Sequence, residues 1–143
     1  SIDESLTFKP GETPVTSSID DVKLGLSICY DLRFPELYRN YAEQGVNIIT
    51  VPASFTKPTG EAHWETLLRA RAIENQAYVI APNQTGNGAG NVPSYGNSMI
   101  IDPWDTIIAR ASEDKEEIIN ATLSLEDLRK VREKLPSLQH RVL

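Results

Sequence analysis

Apolar and polar residues alternate from position 22 to position 29: Val22, Leu24, Leu26 and Ile28 stand between Lys23, Gly25, Ser27 and Cys29, which predicts a strand with one apolar face. Cys29 closes that strand. Beyond it Leu37, Tyr38, Tyr41 and Ala42 recur at helical spacing, after Pro35 at a first helical position and before Gly45 where a left-handed cap belongs. Residues 46–51 are a short apolar run stopped by Pro52, a buried strand. Strand, helix and strand form a right-handed βαβ unit, so the strands are parallel, and Ser54 and Phe55 leave the sheet on the same edge as Cys29. A thiol at a strand-to-helix turn stands at the carboxyl edge of the sheet, where open α/β folds bind ligands.

The rest of the chain is read from the same signals. Residues 1–21 are polar and turn-rich and predict a loop or an edge segment. After a loop at 56–60, residues 61–76 place Trp64, Leu67, Leu68, Arg71 and Ala72 on one face of a long helix, with Glu61 in its first turn. Residues 77–81 predict a short strand and the glycine-rich residues 84–94 a connection. Ser98-Met99-Ile100-Ile101 and Thr106-Ile107-Ile108-Ala109 flank Asp102-Pro103-Trp104-Asp105, a hairpin with proline at the second turn position. Residues 113–116 read as a solvated turn and 117–123 as a further strand. Ser124-Leu125-Glu126-Asp127 resembles a capping box that opens a helix running to Lys134, which Pro136 stops. Neither an internal repeat nor a linker divides residues 1–143, which are read as one unit.

Composition narrows the function classes. With 143 residues, 40% of them hydrophobic, the chain is long enough to bury a core, and no apolar run approaches the roughly 18 residues of a membrane span. A net charge of −6 with scattered basic residues argues against a nucleic-acid partner. One cysteine leaves no internal disulfide and no cysteine-based zinc site, and it suits a reducing, cytoplasmic compartment. The sole methionine is Met99, so Ser1 is not read as a translation start: what preceded it was either removed by processing or belongs to a longer chain of which this is a part.

A lone cysteine in an apolar strand is more commonly a small core residue than a nucleophile, and only its place at the turn favours the second reading. His63 and His140 are the candidate partners of a Cys-His pair, and neither has an obvious orienting acid. The run Ile28-Cys29-Tyr30-Asp31-Leu32-Arg33-Phe34-Pro35-Glu36-Leu37 closely resembles the nucleophile segment of the nitrilase superfamily of carbon-nitrogen hydrolases, in its Nit-type amidase branch. Three further stretches agree in order and spacing. They are Pro52-Ala53-Ser54-Phe55 with Thr59-Gly60-Glu61-Ala62-His63-Trp64-Glu65, then Leu68-Arg69-Ala70-Arg71-Ala72-Ile73-Glu74-Asn75-Gln76, then Ser98-Met99-Ile100-Ile101-Asp102-Pro103-Trp104.

The resemblance implies half of an α-β-β-α sandwich, with this chain as the C-terminal half of the catalytic domain supplying one sheet and two covering helices. It implies a Glu-Lys-Cys triad in which Cys29 is the nucleophile. A further pocket glutamate matches Glu4 in Glu4-Ser5 through Gly11, a residue that would otherwise read as a solvated terminal side chain. The general-base glutamate and the lysine have no counterpart here, since Lys9, Lys23 and Lys57 stand in other contexts. The implied chemistry is hydrolysis of a small carboxylated amide, with a nitrile or an N-carbamoyl compound as the alternative substrate: Cys29 attacks, the Tyr30 N–H and the lysine hold the oxyanion, ammonia leaves, and water resolves the thioester. Neither a metal nor an organic cofactor is called for. Ser54 and Phe55 line the expected pocket, while Arg33 either binds a substrate carboxylate or anchors the turn. Arg69, Arg71 and Glu74 read as structural ion pairs or interface contacts. The implied partners are the N-terminal half of the same domain and a second copy, with Tyr38, Tyr41 and the Trp64 helix as candidates for a homodimer face; their spacing alone says only that they cover a core. A non-catalytic chain that completes the fold of a separate N-terminal half is the rival reading. The sequence departs from the family pattern at Asn97, where histidine is common, and at Asp105, where glycine is common.

Overall fold

The computed structural model describes residues 4–142, with the backbone alone at Glu4 and Ala89. After a 3-10 turn at Glu4–Leu6, strands β1 (Val15–Ile19) and β2 (Val22–Leu26) form an antiparallel hairpin in which Val15 faces Leu26 and Ile19 faces Val22. A 3-10 turn, Cys29–Arg33, leads into helix α1 (Pro35–Glu43) and strand β3 (Ile48–Thr50). A helical turn α2 (Lys57–Thr59), a π-helical segment (Gly60–Trp64) and helix α3 (Glu65–Asn75) come next as one path, then strand β4 (Tyr78–Ala81). Strands β5 (Met99–Ile101) and β6 (Ile107–Arg110) and helix α4 (Leu125–Lys134) complete the order.

The six strands lie in chain order, with β2, β3 and β4 parallel and β1, β5 and β6 antiparallel to their neighbours. Both parallel connections cross over in the same direction, so α1 and α3 share one face of the sheet and touch each other. Successive strand residues point to opposite faces, and the two apolar clusters divide accordingly. Ile49, Val51, Val79 and Ile101 meet Tyr38, Tyr41, Trp64, Leu68 and Ala72 on the α1/α3 side. Ile48 and Tyr78 meet Leu128 of α4 on the other, flanked by Val22, Leu24, Ile80, Leu123 and Leu125.

This mixed sheet with flanking helices agrees with the expected fold class, and three local expectations are corrected. Residues 117–123 form no strand: no neighbouring chain pairs with them, Ile118 is exposed, and Leu123 turns into the α4 cluster. Helix begins at Lys57 instead of after residue 60, because Pro58 suits a first turn and the Gly60 N–H bonds Thr56 O at 2.7 Å. Helix α4 forms where it was expected, and it lies on the face opposite α1 and α3. Tyr38, Tyr41 and Trp64 are fully buried within the chain, so these three rings form its own core and offer no surface to a second copy.

Candidate active site

Strand β2 ends at Leu26, yet the backbone stays zipped to its neighbour beyond that point. Ser27 N–H donates to Thr50 O at 3.1 Å and Cys29 N–H to Pro52 O at 2.8 Å. The next pair of chains behaves alike, with Val51 N–H on Ile80 O and Ala53 N–H on Pro82 O, each at 2.9 Å. Three parallel carboxyl ends therefore run out together. They enclose an open cleft of about 520 Å³ lined by Ile28, Cys29, Pro52, Ala53, Ser54, Pro82, Asn83 and Gln84.

Cys29 sits at φ 47°, a left-handed conformation that costs a residue with a Cβ about 1–3 kcal/mol and persists only where the surroundings impose it. Hydrogen bonds within the turn are part of what holds it. Ile28 N–H donates to Asp31 Oδ2 at 2.8 Å, and Asp31 N–H returns to Ile28 O at 3.0 Å. The sharp turn lifts the thiol out of the strand to the cleft, half-buried, against the rim of the main core. Tyr30 is the second residue of the 3-10 turn and precedes its first hydrogen bond, so its N–H has no acceptor within the turn.

Beneath the turn, Ser27 is buried and its hydroxyl donates to Thr50 O at 2.8 Å while accepting from Tyr38 OH at 3.0 Å. Tyr41 OH donates to Leu26 O, and its ring lies flat on Gly25, where a Cβ would come within 2.7 Å of it. Burial pushes the Tyr38 phenol well above the usual tyrosine range and raises that of Tyr41 as well, and each serves as a hydrogen-bond donor.

The expected site residues separate into three groups. Cys29 and Ser54 share the cleft, and Ser54 Oγ pairs with Ser94 Oγ at 3.3 Å. Phe55 is buried and packs on Trp64 at 4.8 Å between ring centroids, so it supports the wall without lining it. Tyr30 and Arg33 flank the turn: the Tyr30 ring is exposed, and the Arg33 guanidinium lies 5.6 Å from it and 5.5 Å from the Phe55 ring. Arg33 Nη1 is 3.3 Å from His63 Nδ1, and among the described residues no carboxylate forms an ion pair with it. Glu4 begins the first 3-10 turn, and its side chain lies outside the described residues. Lys23 and Lys57 are engaged elsewhere, on Gln44 O and Glu113. Arg69 pairs with Glu65 and Asp105, and Arg71 with Glu74, as ion pairs within the chain.

Asn83 and Gln84 were not anticipated. Asn83 is buried; its Oδ1 accepts from Phe55 N–H at 2.9 Å and its Nδ2 donates to Gly96 O at 2.6 Å, fastening this wall of the cleft to the segments behind it. The signal was present: β4 is parallel to β3, so residues 82–84 emerge at the same sheet edge as Cys29. Among the described residues no cluster of three histidine, cysteine or carboxylate side chains could hold a metal ion.

Comparison with known proteins agrees with this geometry. The sequence profile of the carbon-nitrogen hydrolases matches residues 1–133. The chain is 51% identical over 141 residues to the deaminated glutathione amidase of Synechocystis, covering 97% of this chain and 52% of that protein. It is 48% identical to the human deaminated glutathione amidase, covering 96% of this chain and 42% of that protein. Among solved structures, Saccharomyces cerevisiae Nit3, a member of branch 10 of the nitrilase superfamily, superposes with a TM-score of 0.90 at 38% identity, covering 98% of this chain and 51% of that one. A Xanthomonas campestris CN-hydrolase superfamily protein with an arsenic adduct in its active site gives 0.90 at 27% identity, covering 99% and 55%. The chain spans about half the length of the relatives it matches. With matching motifs, matching sheet and matching profile, it belongs to the carbon-nitrogen hydrolase family.

Proposed function

We propose that this chain carries the nucleophile of an amidase that hydrolyses a small amide bearing a carboxylate. One observation carries the reading: Cys29 occupies a strained turn that aims the family's only matching nucleophile into an open cleft, beside a backbone N–H with no acceptor in the turn. The Cys29 thiolate adds to the amide carbon. The oxyanion takes the Tyr30 N–H and the lysine that the family resemblance assigns to a residue outside this sequence, a stabilisation worth about 3 kcal/mol per donor. The C–N bond breaks as the leaving nitrogen takes a proton from the family's glutamate, leaving a thioester. Water then adds to the thioester, releasing the acid and restoring the thiol.

The relatives named deaminated glutathione amidases support an amide substrate that carries carboxylates. Arg33 supports it from this chain, as a guanidinium beside the nucleophile turn with no carboxylate of its own among the described residues. The exposed apolar flank of Leu26, Ile28, Tyr30 and Phe34 supports a further part of the protein closing over the cleft. The test is steady-state hydrolysis of deaminated glutathione and of a 2-oxo acid monoamide by the intact protein. Cys29→Ala is expected to remove activity while the protein stays folded, and retention of activity would overturn the assignment. Arg33→Gln is expected to raise KM for the carboxylated amide and leave the amide of the corresponding methyl ester unchanged.

A further inference from the structure

We infer that Arg71 is a positioning residue for the nucleophile: from the helix behind the site, its guanidinium fixes the turn that holds Cys29. The inference rests on reading Cys29 as the nucleophile. Arg71 is 5% exposed and does not line the cleft. Its Nε and Nη2 both donate to Leu32 O, at 3.2 and 2.9 Å, and its Nη1 donates to Glu74 Oε1 at 2.8 Å. The same guanidinium lies 5.2 Å from the Tyr38 ring centre, and Tyr38 OH holds Ser27 Oγ. One cation thus grips the turn three residues after Cys29 and, through one phenol, the strand two residues before it.

The grip has a physical purpose. A left-handed cysteine relaxes to an ordinary conformation unless both ends of its turn are held, and relaxation would swing the thiol and the Tyr30 N–H apart from a common target. The carbonyls at the end of a 3-10 turn also lack partners within it, and a buried one needs a donor. Arginine suits this position because its planar fork serves one carbonyl with two parallel N–H groups, one carboxylate with another, and a ring with its face. A lysine ammonium cannot hold all three.

The experiment compares Arg71→Lys, Arg71→Met and Glu74→Gln with the wild type in the intact protein. Amide hydrolysis is measured together with the rate at which iodoacetamide alkylates Cys29, followed on its own peptide by mass spectrometry over a pH series. Both Arg71 variants are expected to lower kcat about tenfold or more with KM unchanged, because a small displacement of a reacting group costs rate and not affinity. They are also expected to change the pH profile of alkylation, and Glu74→Gln to do the same more weakly. If Arg71→Met does not fold, Arg71→Lys, which keeps the charge and the stem, decides. A folded Arg71→Lys protein with wild-type kcat and wild-type alkylation overturns the inference, as does a loss of rate that follows melting temperature alone. Full activity in Cys29→Ala would instead defeat the assignment of Cys29 as the nucleophile, and with it a positioning role for Arg71, while the alkylation profile would still report whether Arg71 holds the turn.

Discussion

Gly25 shows how a single residue shapes the site. Its missing side chain lets the Tyr41 ring lie on the strand, and the Tyr41 hydroxyl then ties down Leu26 O, three residues before the thiol. Gly25→Ala is expected to destabilise the protein by about 1–3 kcal/mol, read as a lower denaturation midpoint, because the ring is buried and cannot withdraw. Asp105 is the converse case. At φ 97° it stands where glycine would be relaxed, and it stays because both carboxylate oxygens meet the Arg69 guanidinium, with Nε to Oδ1 at 2.6 Å. Hydrogen bonding to Arg69 holds the Asp105 carboxyl below its ordinary pKa. Its contribution is therefore present above the usual carboxylate range and lost as pH falls through the depressed folded value, and partial exposure keeps it small. Asp105→Ala, which keeps the strained backbone and loses the pair, is expected to melt lower than Asp105→Gly, which relieves the strain. Acid titration of Asp105→Asn is expected to lack that component of the wild-type loss. The departure at Asp105 was legible in the sequence, and the arginine that compensates for it was not, since 36 residues separate the two.

Helix boundaries set by local sequence were legible. Ser124 caps α4 as its spacing implied, its hydroxyl accepting from Asp127 N–H at 3.1 Å. Ser124→Ala is expected to cost about 1 kcal/mol in equilibrium unfolding, and Leu128→Ala about 2–5 kcal/mol, because Leu128 is the buried contact of α4 with the sheet. The path from Lys57 to Trp64 was read as loop and then regular helix, and it is helix with a π-helical segment. The cause is tertiary. Tyr95 packs onto Gly60, where a Cβ would lie 2.2 Å from the ring, and Trp64 Nε1 reaches Asn97 O at 2.8 Å. No window of local sequence contains both partners.

Across the whole molecule, the sheet has a protected centre and two edges. Ile49 and Val79 are fully buried in the main cluster, whereas four of the five β1 residues are exposed. Hydrogen exchange is expected to be slowest at the central β3 and β4 amides and fastest, among the strands, along β1; the reverse order would contradict this sheet order. Arg132 supports the same arrangement from the far side, its Nε donating to Gln76 O at 3.0 Å and its Nη2 to Val46 O at 2.7 Å, which pins α4 across the ends of α1 and α3. Burial lowers the Arg132 pKa from its usual value.

The sequence alone determined what depends on neighbours in the chain. The alternation before Cys29, the helical spacing after it and the βαβ order placed a thiol at a sheet edge beside Ser54, and the linked motifs identified the family. Tertiary structure decided what depends on contacts between distant segments. It set Cys29 in a left-handed turn, brought Arg71 to Leu32 O from 39 residues away, moved Phe55 from the pocket into the core, and made Asn83 a fastening of the cleft. The reason is that periodicity reports which face a residue takes within its own element. Which carbonyl, ring or edge waits on that face is settled only when the elements pack.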